Sequence, residues 1–331
     1  MPTLMPNGRY IRWRLRRATI RFRRNFSRRL FRDRHRDLAR AMIVAGAARS
    51  GTTWLAEIIA SQFSCRIMFE PFQNQLVAPY RSFNYYQYMR PEEDDQRLTA
   101  FCQQVFSGAI RHPWIDRQVD RLLPEFRLVK EIRANLLLKW IRRRFWEVPI
   151  VFVVRHPCAV VWSRLQLGWV PTMDIAPFLS QPKLIADVLQ NYLEIIQRAR
   201  SEVERNAVIW CICNLVPLRQ LSPGEAHVIF YEHLITQPEV EAPRLFHALG
   251  RPYDDNLFDR LGRPSMTSRY ESAAVTGADR LYGWQEKLTT DEVDAILAVV
   301  EAFDMGGLYG DSALPRPEWS AGRQLAGIRE G

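Results

Sequence analysis

Residues 43–54 read IVAGAARSGTTW, and the way this stretch folds decides what the rest of the chain can be. Ile43, Val44 and Ala45 end an apolar run of the kind that fills a buried parallel strand. Gly46 and Gly51 bracket a short loop, and Thr52 and Thr53 stand where a helix would begin. The first N–H groups of a helix have no partner inside it, and the helix dipole makes that end positive. A strand, a tight glycine loop and a helix start, in that order, make a cradle for a phosphate.

The spacing G-x-x-x-x-G is that of a P-loop, but Thr52 follows Gly51 where a nucleotide triphosphatase has lysine. Without that lysine nothing obvious reaches a β- or γ-phosphate, so the loop suits a nucleotide with a single phosphate on its 5′ side. A second segment, IVFVVRHPCAVVWSR at 150–164, runs as an apolar strand to Arg155. Pro157 then opens a helix, at a position where proline is tolerated, and Ser163 lies roughly two turns in. An arginine and a hydroxyl so placed can share a phosphate through charge-assisted hydrogen bonds. Alone, an arginine at a strand end is often only solvated. Together the two segments imply a ligand with two separate phosphates.

The chain has 331 residues, 47% apolar and 25% charged, enough for one large α/β domain or two small ones, with a substantial core. Its net charge of +10 is unevenly spread: residues 1–40 hold fourteen arginines against Asp33 and Asp37, which leaves the remainder slightly acidic. The basic balance therefore belongs to an arm and gives no support for a nucleic-acid-binding body. In that arm Ile11, Leu15, Ala18, Phe22, Phe26 and Leu30 recur at steps of three or four, with arginines between. Two readings of this amphipathic pattern stay open. One is contact with an anionic membrane surface through residues 9–32; the other is a solvated arm packed on its own domain or on a dimer partner.

Five cysteines, an odd number without a C-x-x-C pair or a histidine cluster, point to reduced, buried thiols and to no metal site. No apolar run reaches the ~18–20 residues of a membrane span, and the arginine-filled N-terminus lacks a signal-peptide core. The expectation is a cytoplasmic protein, with peripheral contact at the inner membrane surface as the arm's option.

From residue 41 short apolar runs alternate with helical stretches, the pattern of a parallel α/β sheet. Strands are expected at 41–45, 65–69, 127–131, 149–154 and 227–231. Helices are expected at 53–62, 135–146, 158–166, 184–204, 238–249 and 290–303. The fold class is α/β: a central parallel sheet of about five strands flanked by helices, in one domain over 41–310. The arm 1–40 precedes it and a loose tail 311–331 follows. Residues 71–126 form a long insertion with Tyr80, Phe83, Tyr85, Tyr86, Tyr88 and Trp114. Such an insertion at the sheet's carboxyl edge can serve as a substrate lid, with 167–183 beside it, or its rings can be local core.

GAARSGTTW followed by VVRHPCAVVWSR resembles the 5′-phosphosulfate loop and the 3′-phosphate motif of sulfotransferases that use 3′-phosphoadenosine 5′-phosphosulfate (PAPS). The family pattern Arg-x-Pro-x-x-x-x-x-Ser is met by Arg155, Pro157 and Ser163. FYEHLITQPE at 230–239 is similar to the Tyr-Glu-Asp-Leu…Pro segment, with His233 in place of the usual Asp, and WQEKLT at 284–289 to a late Trp segment. The resemblance covers about residues 41–305, and the Arg-Ser-Gly-Thr-Thr loop is closest in style to carbohydrate and tyrosylprotein members. It implies a P-loop-type fold and explains the missing lysine, since this donor has no γ-phosphate.

Carried onto this sequence, the resemblance implies that Arg49 contacts the phosphosulfate and that Ser50, Gly51, Thr52 and Thr53 form its cradle. Trp54 is then a ring near the adenine or, equally, a core side chain. Ser265 and Ser268 in RPSMTS resemble a late serine that contacts the donor. Glu70, directly after strand 65–69 in RIMFEPF, takes the place of the general base, unless it merely pairs with a loop arginine. Lys130 in LVKEIRANL, one of only four lysines, is the candidate for stabilising the bridging oxygen, and Arg133 for positioning donor or acceptor. His112 and His156 suit the base less well; His156 stands where other members carry Asp or Asn.

The activity so implied is in-line sulfuryl transfer from PAPS to a hydroxyl of a carbohydrate, glycolipid or similar metabolite. Adenosine 3′,5′-bisphosphate is the product, and neither metal nor nucleic acid takes part. A P-loop kinase-like phosphotransferase is disfavoured by Thr52 and by the lack of a clear Asp on strand 150–154 to hold magnesium. A third reading is a non-catalytic, membrane-associated nucleotide-binding protein that kept the donor pocket.

Overall fold

Ala41–Gly46 (β1) is buried at every residue, as a strand covered on both faces must be. The computed structural model describes residues 24, 27–168, 172–263, 265 and 279–316. Ile11, Leu15, Ala18, Phe22 and Phe26 of the arm, Ser268, and 317–331 of the tail lie outside the described residues. Four further strands join β1: Cys65–Phe69 (β2), Phe126–Glu131 (β3), Ile150–Val154 (β4) and His227–Phe230 (β5). The order across the sheet is β2-β3-β1-β4-β5, and every pairing is parallel. All five match the strands expected from the apolar runs to within a residue or two.

Alternate residues of β1 face opposite layers. Ile43 and Ala45 join Val129, Phe152 and Phe230 in one core, which also contains the insertion and the long helix 202–220. Met42 and Val44 join Leu128, Val151 and Ile229 in the other, against the helices Thr52–Ser61 and Pro238–Ala248. The register Ala45↔Glu131 and Gly46↔Val153 brings the carboxyl ends of β3, β1 and β4 side by side. The glycine loop therefore has the Lys130 turn on one flank and Arg155 on the other.

One expectation needs correction, and one open alternative is decided. The helix expected over 184–204 is a broken run: a π-helical turn at Ile185–Leu189, a 3-10 turn at Gln190–Tyr192, then Leu193–Arg198. Ala199 is extended, and Ser201 starts a new 19-residue helix, Glu202–Gln220, with a capping box to Glu204. The insertion is mostly core: Tyr80, Phe83, Tyr86 and Tyr88 are buried, Tyr80 stacks on Phe83 at 5.0 Å and Tyr86 on Phe178 at 4.6 Å. Only Tyr85 and Trp114 of the six rings singled out are partly exposed.

Residues 27–40 pack on the body. Phe31 is buried, and the fully buried Arg66 of β2 reaches Asp33 at 2.6 Å and Asp116 at 2.7 Å while donating to the carbonyls of Gly108 and Ile110. Arg127 of β3 donates to the carbonyls of Phe106, His35 and Asp37. All five cysteines are buried thiols outside any disulfide. Among the described residues no helix is long and apolar enough to cross a membrane.

Candidate active site

The glycine loop departs from β1 through two left-handed residues, Arg49 (φ 78°) and Gly51 (φ 91°). At Gly51 a side chain is excluded twice over, because a Cβ would also stand 2.6 Å from the Tyr231 ring. Helix Thr52–Ser61 starts directly after it with no side chain capping its N-terminus. Its first N–H groups are therefore open to an anion. Ser50 is buried, and its hydroxyl has no hydrogen-bond partner, an orphaned polar atom inside the loop that fits a bound phosphate.

Arg49, Arg155 and Ser163, far apart in sequence, meet at this loop. Arg49 Nε donates to Ser163 Oγ at 2.9 Å, and one nitrogen of Arg155 donates to the Arg49 carbonyl at 3.2 Å. The Arg155 guanidinium lies over the Tyr231 ring, 4.4 Å from its centroid, and its Nε is buried without a partner. Tyr231 thus fills the space between Gly51 and Arg155, a link not foreseen beyond the similarity of its segment. Trp54 is buried beside Tyr231, ring centroids 5.1 Å apart, with its indole N–H on the Arg263 carbonyl. Thr52 is buried, Thr53 partly exposed, and Ser265 partly buried.

The second cluster lies on the other flank. Glu70 follows β2 in a left-handed conformation (φ 47°), and its N–H donates to the Lys130 carbonyl at 2.8 Å. Its buried carboxylate is gripped from both sides: Lys130 Nζ at 2.6 Å on Oε1 and Arg133 at 2.6 Å on Oε2. Burial alone would raise the Glu70 carboxyl, but these two cations outweigh it and hold it below the usual carboxylate range. Lys130 also lies over the Phe69 ring at 4.7 Å and Arg133 over Tyr85 at 4.6 Å. The Trp114 indole donates to the Glu70 carbonyl at 3.2 Å.

His156 is placed by structure rather than chemistry. Nδ1 accepts from the Cys158 N–H as a helix cap, Nε2 donates to the Gly310 carbonyl at 3.0 Å, and the ring stacks on Trp284 at 4.6 Å. Burial pushes its pKa down to about 4. Glu232 accepts from the His156 N–H and from the Tyr309 hydroxyl, so the Tyr-Glu-His segment braces both the glycine loop and the start of helix Pro157–Leu165. His112 accepts from the Trp114 N–H through Nδ1.

The geometry thus joins an anion cradle, two arginines and a serine beside it, and a carboxylate between two cations. The sequence model of the sulfotransferase family matches residues 42–255. Solved structures that resemble the chain include a sulfotransferase domain from the curacin biosynthetic pathway, at 16% identity over 80% of this chain and 96% of that one, TM-score 0.44. The sulfotransferase domain of the Synechococcus PCC 7002 olefin synthase matches at 15% identity over 80% and 94%, TM-score 0.41. A sulfotransferase from Alicyclobacillus acidocaldarius matches at 12% over 80% and 93%, TM-score 0.39. No curated protein matches. With the family model spanning more than half of the chain, this protein belongs to the sulfotransferase family.

Proposed function

We propose that the chain moves a sulfuryl group from PAPS to a hydroxyl of a carbohydrate, glycolipid or similar metabolite. The observation that carries this reading is the grip of Lys130 and Arg133 on Glu70, one sheet position from the glycine loop. The acceptor oxygen forms its bond to sulfur while the bond from sulfur to the bridging phosphate oxygen breaks, and Glu70 takes the acceptor's proton. Lys130 and Arg49 stabilise the charge that gathers on the leaving phosphate. As Lys130 turns toward that oxygen, Glu70 loses one of its two cations and becomes a stronger base at the moment it is needed.

Ser50, Thr52, Thr53 and the N–H groups of the glycine loop would hold the 5′ side of the donor, and Arg155 with Ser163 its 3′-phosphate. Arg49 and Ser163 already bond each other, so donor binding exchanges that bond for contacts to phosphate. Trp54, Ser265 and Ser268 are assigned to the adenosine end, Arg133 to positioning of donor or acceptor, and residues 9–32 to contact with an anionic membrane surface.

A melting-temperature comparison tests the donor assignment. Adenosine 3′,5′-bisphosphate is expected to stabilise the protein strongly and ATP with magnesium little; the opposite ranking would overturn it in favour of a kinase-like activity. Labelled donor offered with a panel of sugars, lipids and phenols then identifies the acceptor. Unchanged turnover in Glu70→Gln would remove Glu70 as the base.

A further inference from the structure

The Glu131 carboxylate has no contact with solvent and accepts three backbone N–H groups: Ile132 at 2.7 Å and Arg133 at 2.9 Å on Oε1, Phe72 at 3.0 Å on Oε2. Ile132 and Arg133 begin the turn after β3, and Phe72 lies two residues past Glu70 in the turn after β2. One side chain therefore binds together the two turns that carry the Glu70 cluster. We propose that Glu131 is a positioning residue for sulfuryl transfer, fixing Glu70 and Arg133 against each other; this rests on the reading of Glu70 as general base.

Three features require such a tie. Glu70 is in the left-handed region that a residue with a Cβ rarely adopts, so its conformation must be imposed by its surroundings. Pro71 follows it and has no N–H to donate, so the first donor available to pin the turn is that of Phe72. Arg133 reaches Glu70 Oε2 from a turn whose own N–H is held by Glu131. A carboxylate is suited to this task because both oxygens only accept, and all three partners only donate. Burial and the charge of Glu70 push the Glu131 carboxyl up, and Arg133 and these backbone donors counter only part of that rise. Glu131 acts through Glu70 and Arg133 and does not itself meet the reacting atoms.

Glu131→Asp separates reach from charge. It keeps the carboxylate but shortens the side chain by about 1.5 Å, so both turns cannot be held at once. With adenosine 3′,5′-bisphosphate used to count binding-competent sites, turnover per site is expected to fall on the order of 10–100-fold while bisphosphate affinity stays within about twofold. Independently of activity, the side-chain 13C titration of Glu70, assigned by its disappearance in Glu70→Gln, should move upward as Arg133 loses its alignment. A role confined to stability would lower the melting temperature and leave both readings where they were. Either reading staying at its wild-type value would overturn the proposal. If the wild-type chain binds the bisphosphate yet transfers no sulfuryl group, the parent reading fails, and the Glu70 titration alone then decides the positioning role.

Discussion

His156 should make the fold acid-sensitive by an amount that its surroundings fix. The imidazole is 1% exposed, and its pKa is lowered from 6.5 to about 4 by burial, more than the Gly310 and Ser312 backbone groups restore. In the unfolded chain the same ring returns to 6.5. Between those values the unfolded chain binds more protons than the folded one, so stability rises with pH across this window and is lost as pH falls from about 6.5 toward about 4. At about 1.4 kcal/mol per pH unit, the full depression corresponds to about 3 kcal/mol. His156→Asn keeps a side-chain oxygen for the Cys158 N–H but cannot titrate, and every other ionisable group is common to both proteins. Urea unfolding of the two proteins at a series of pH values measures the difference directly. The wild type should lose about 3 kcal/mol more than the variant on acidification through the window. Parallel stability curves would refute the burial argument.

Further outcomes follow from the same geometry. Gly51→Ala forces a Cβ onto the Tyr231 ring in a left-handed conformation costing about 1–2 kcal/mol, so titration calorimetry should show bisphosphate affinity reduced about tenfold or more; unchanged affinity would show that the loop does not hold the donor. Lys130→Ala removes the cation on Glu70 Oε1, and turnover on any accepted hydroxyl should fall about 100-fold. A variant working at the wild-type rate would take Lys130 out of the chemistry. Arg66→Met removes the cation that the buried Asp33 and Asp116 share, leaving Asp116 only the longer contact to Arg111 at 3.8 Å, and denaturant unfolding should register a loss of about 3–5 kcal/mol. A loss below about 1 kcal/mol would mean that the two carboxylates find other partners.

The sheet was legible because central parallel strands are continuous apolar runs, and Ile150–Val154 contains no polar residue at all. The helix Glu202–Gln220 was hidden by the helical-looking run before it, although Ser201 and Glu204, three apart, carry the sequence signature of a new start. The meeting of Arg49, Gly51 and Arg155 at one loop could be read because the strand–loop–helix order fixes where they must lie. The pairing of Glu70 with Lys130 could not be read from spacing, since sixty residues separate them and only sheet register makes them neighbours. Glu131 carries no pattern of its own, and the segment similarity at Tyr231 did not show that its ring fills the space between Gly51 and Arg155. Arg66 and Arg127 break the apolar rule for strands, and their partners in the 27–40 segment and the insertion appear only once the chain is folded.

The clasp around Arg66 also bears on how the protein is made. Phe31 and Asp33 are synthesised early, yet the Arg111 that holds the Phe31 carbonyl lies eighty residues further on, and the Asp116 that shares Arg66 with Asp33 comes later still. During translation the segment 27–40 leaves the ribosome before the residues that hold it have been made. It must wait, unanchored, until β2, the insertion and β3 have been released. A substitution that removes Arg111 or Asp116 takes those anchors away, so faults at that end of the insertion should show themselves as proteolysis within residues 27–40.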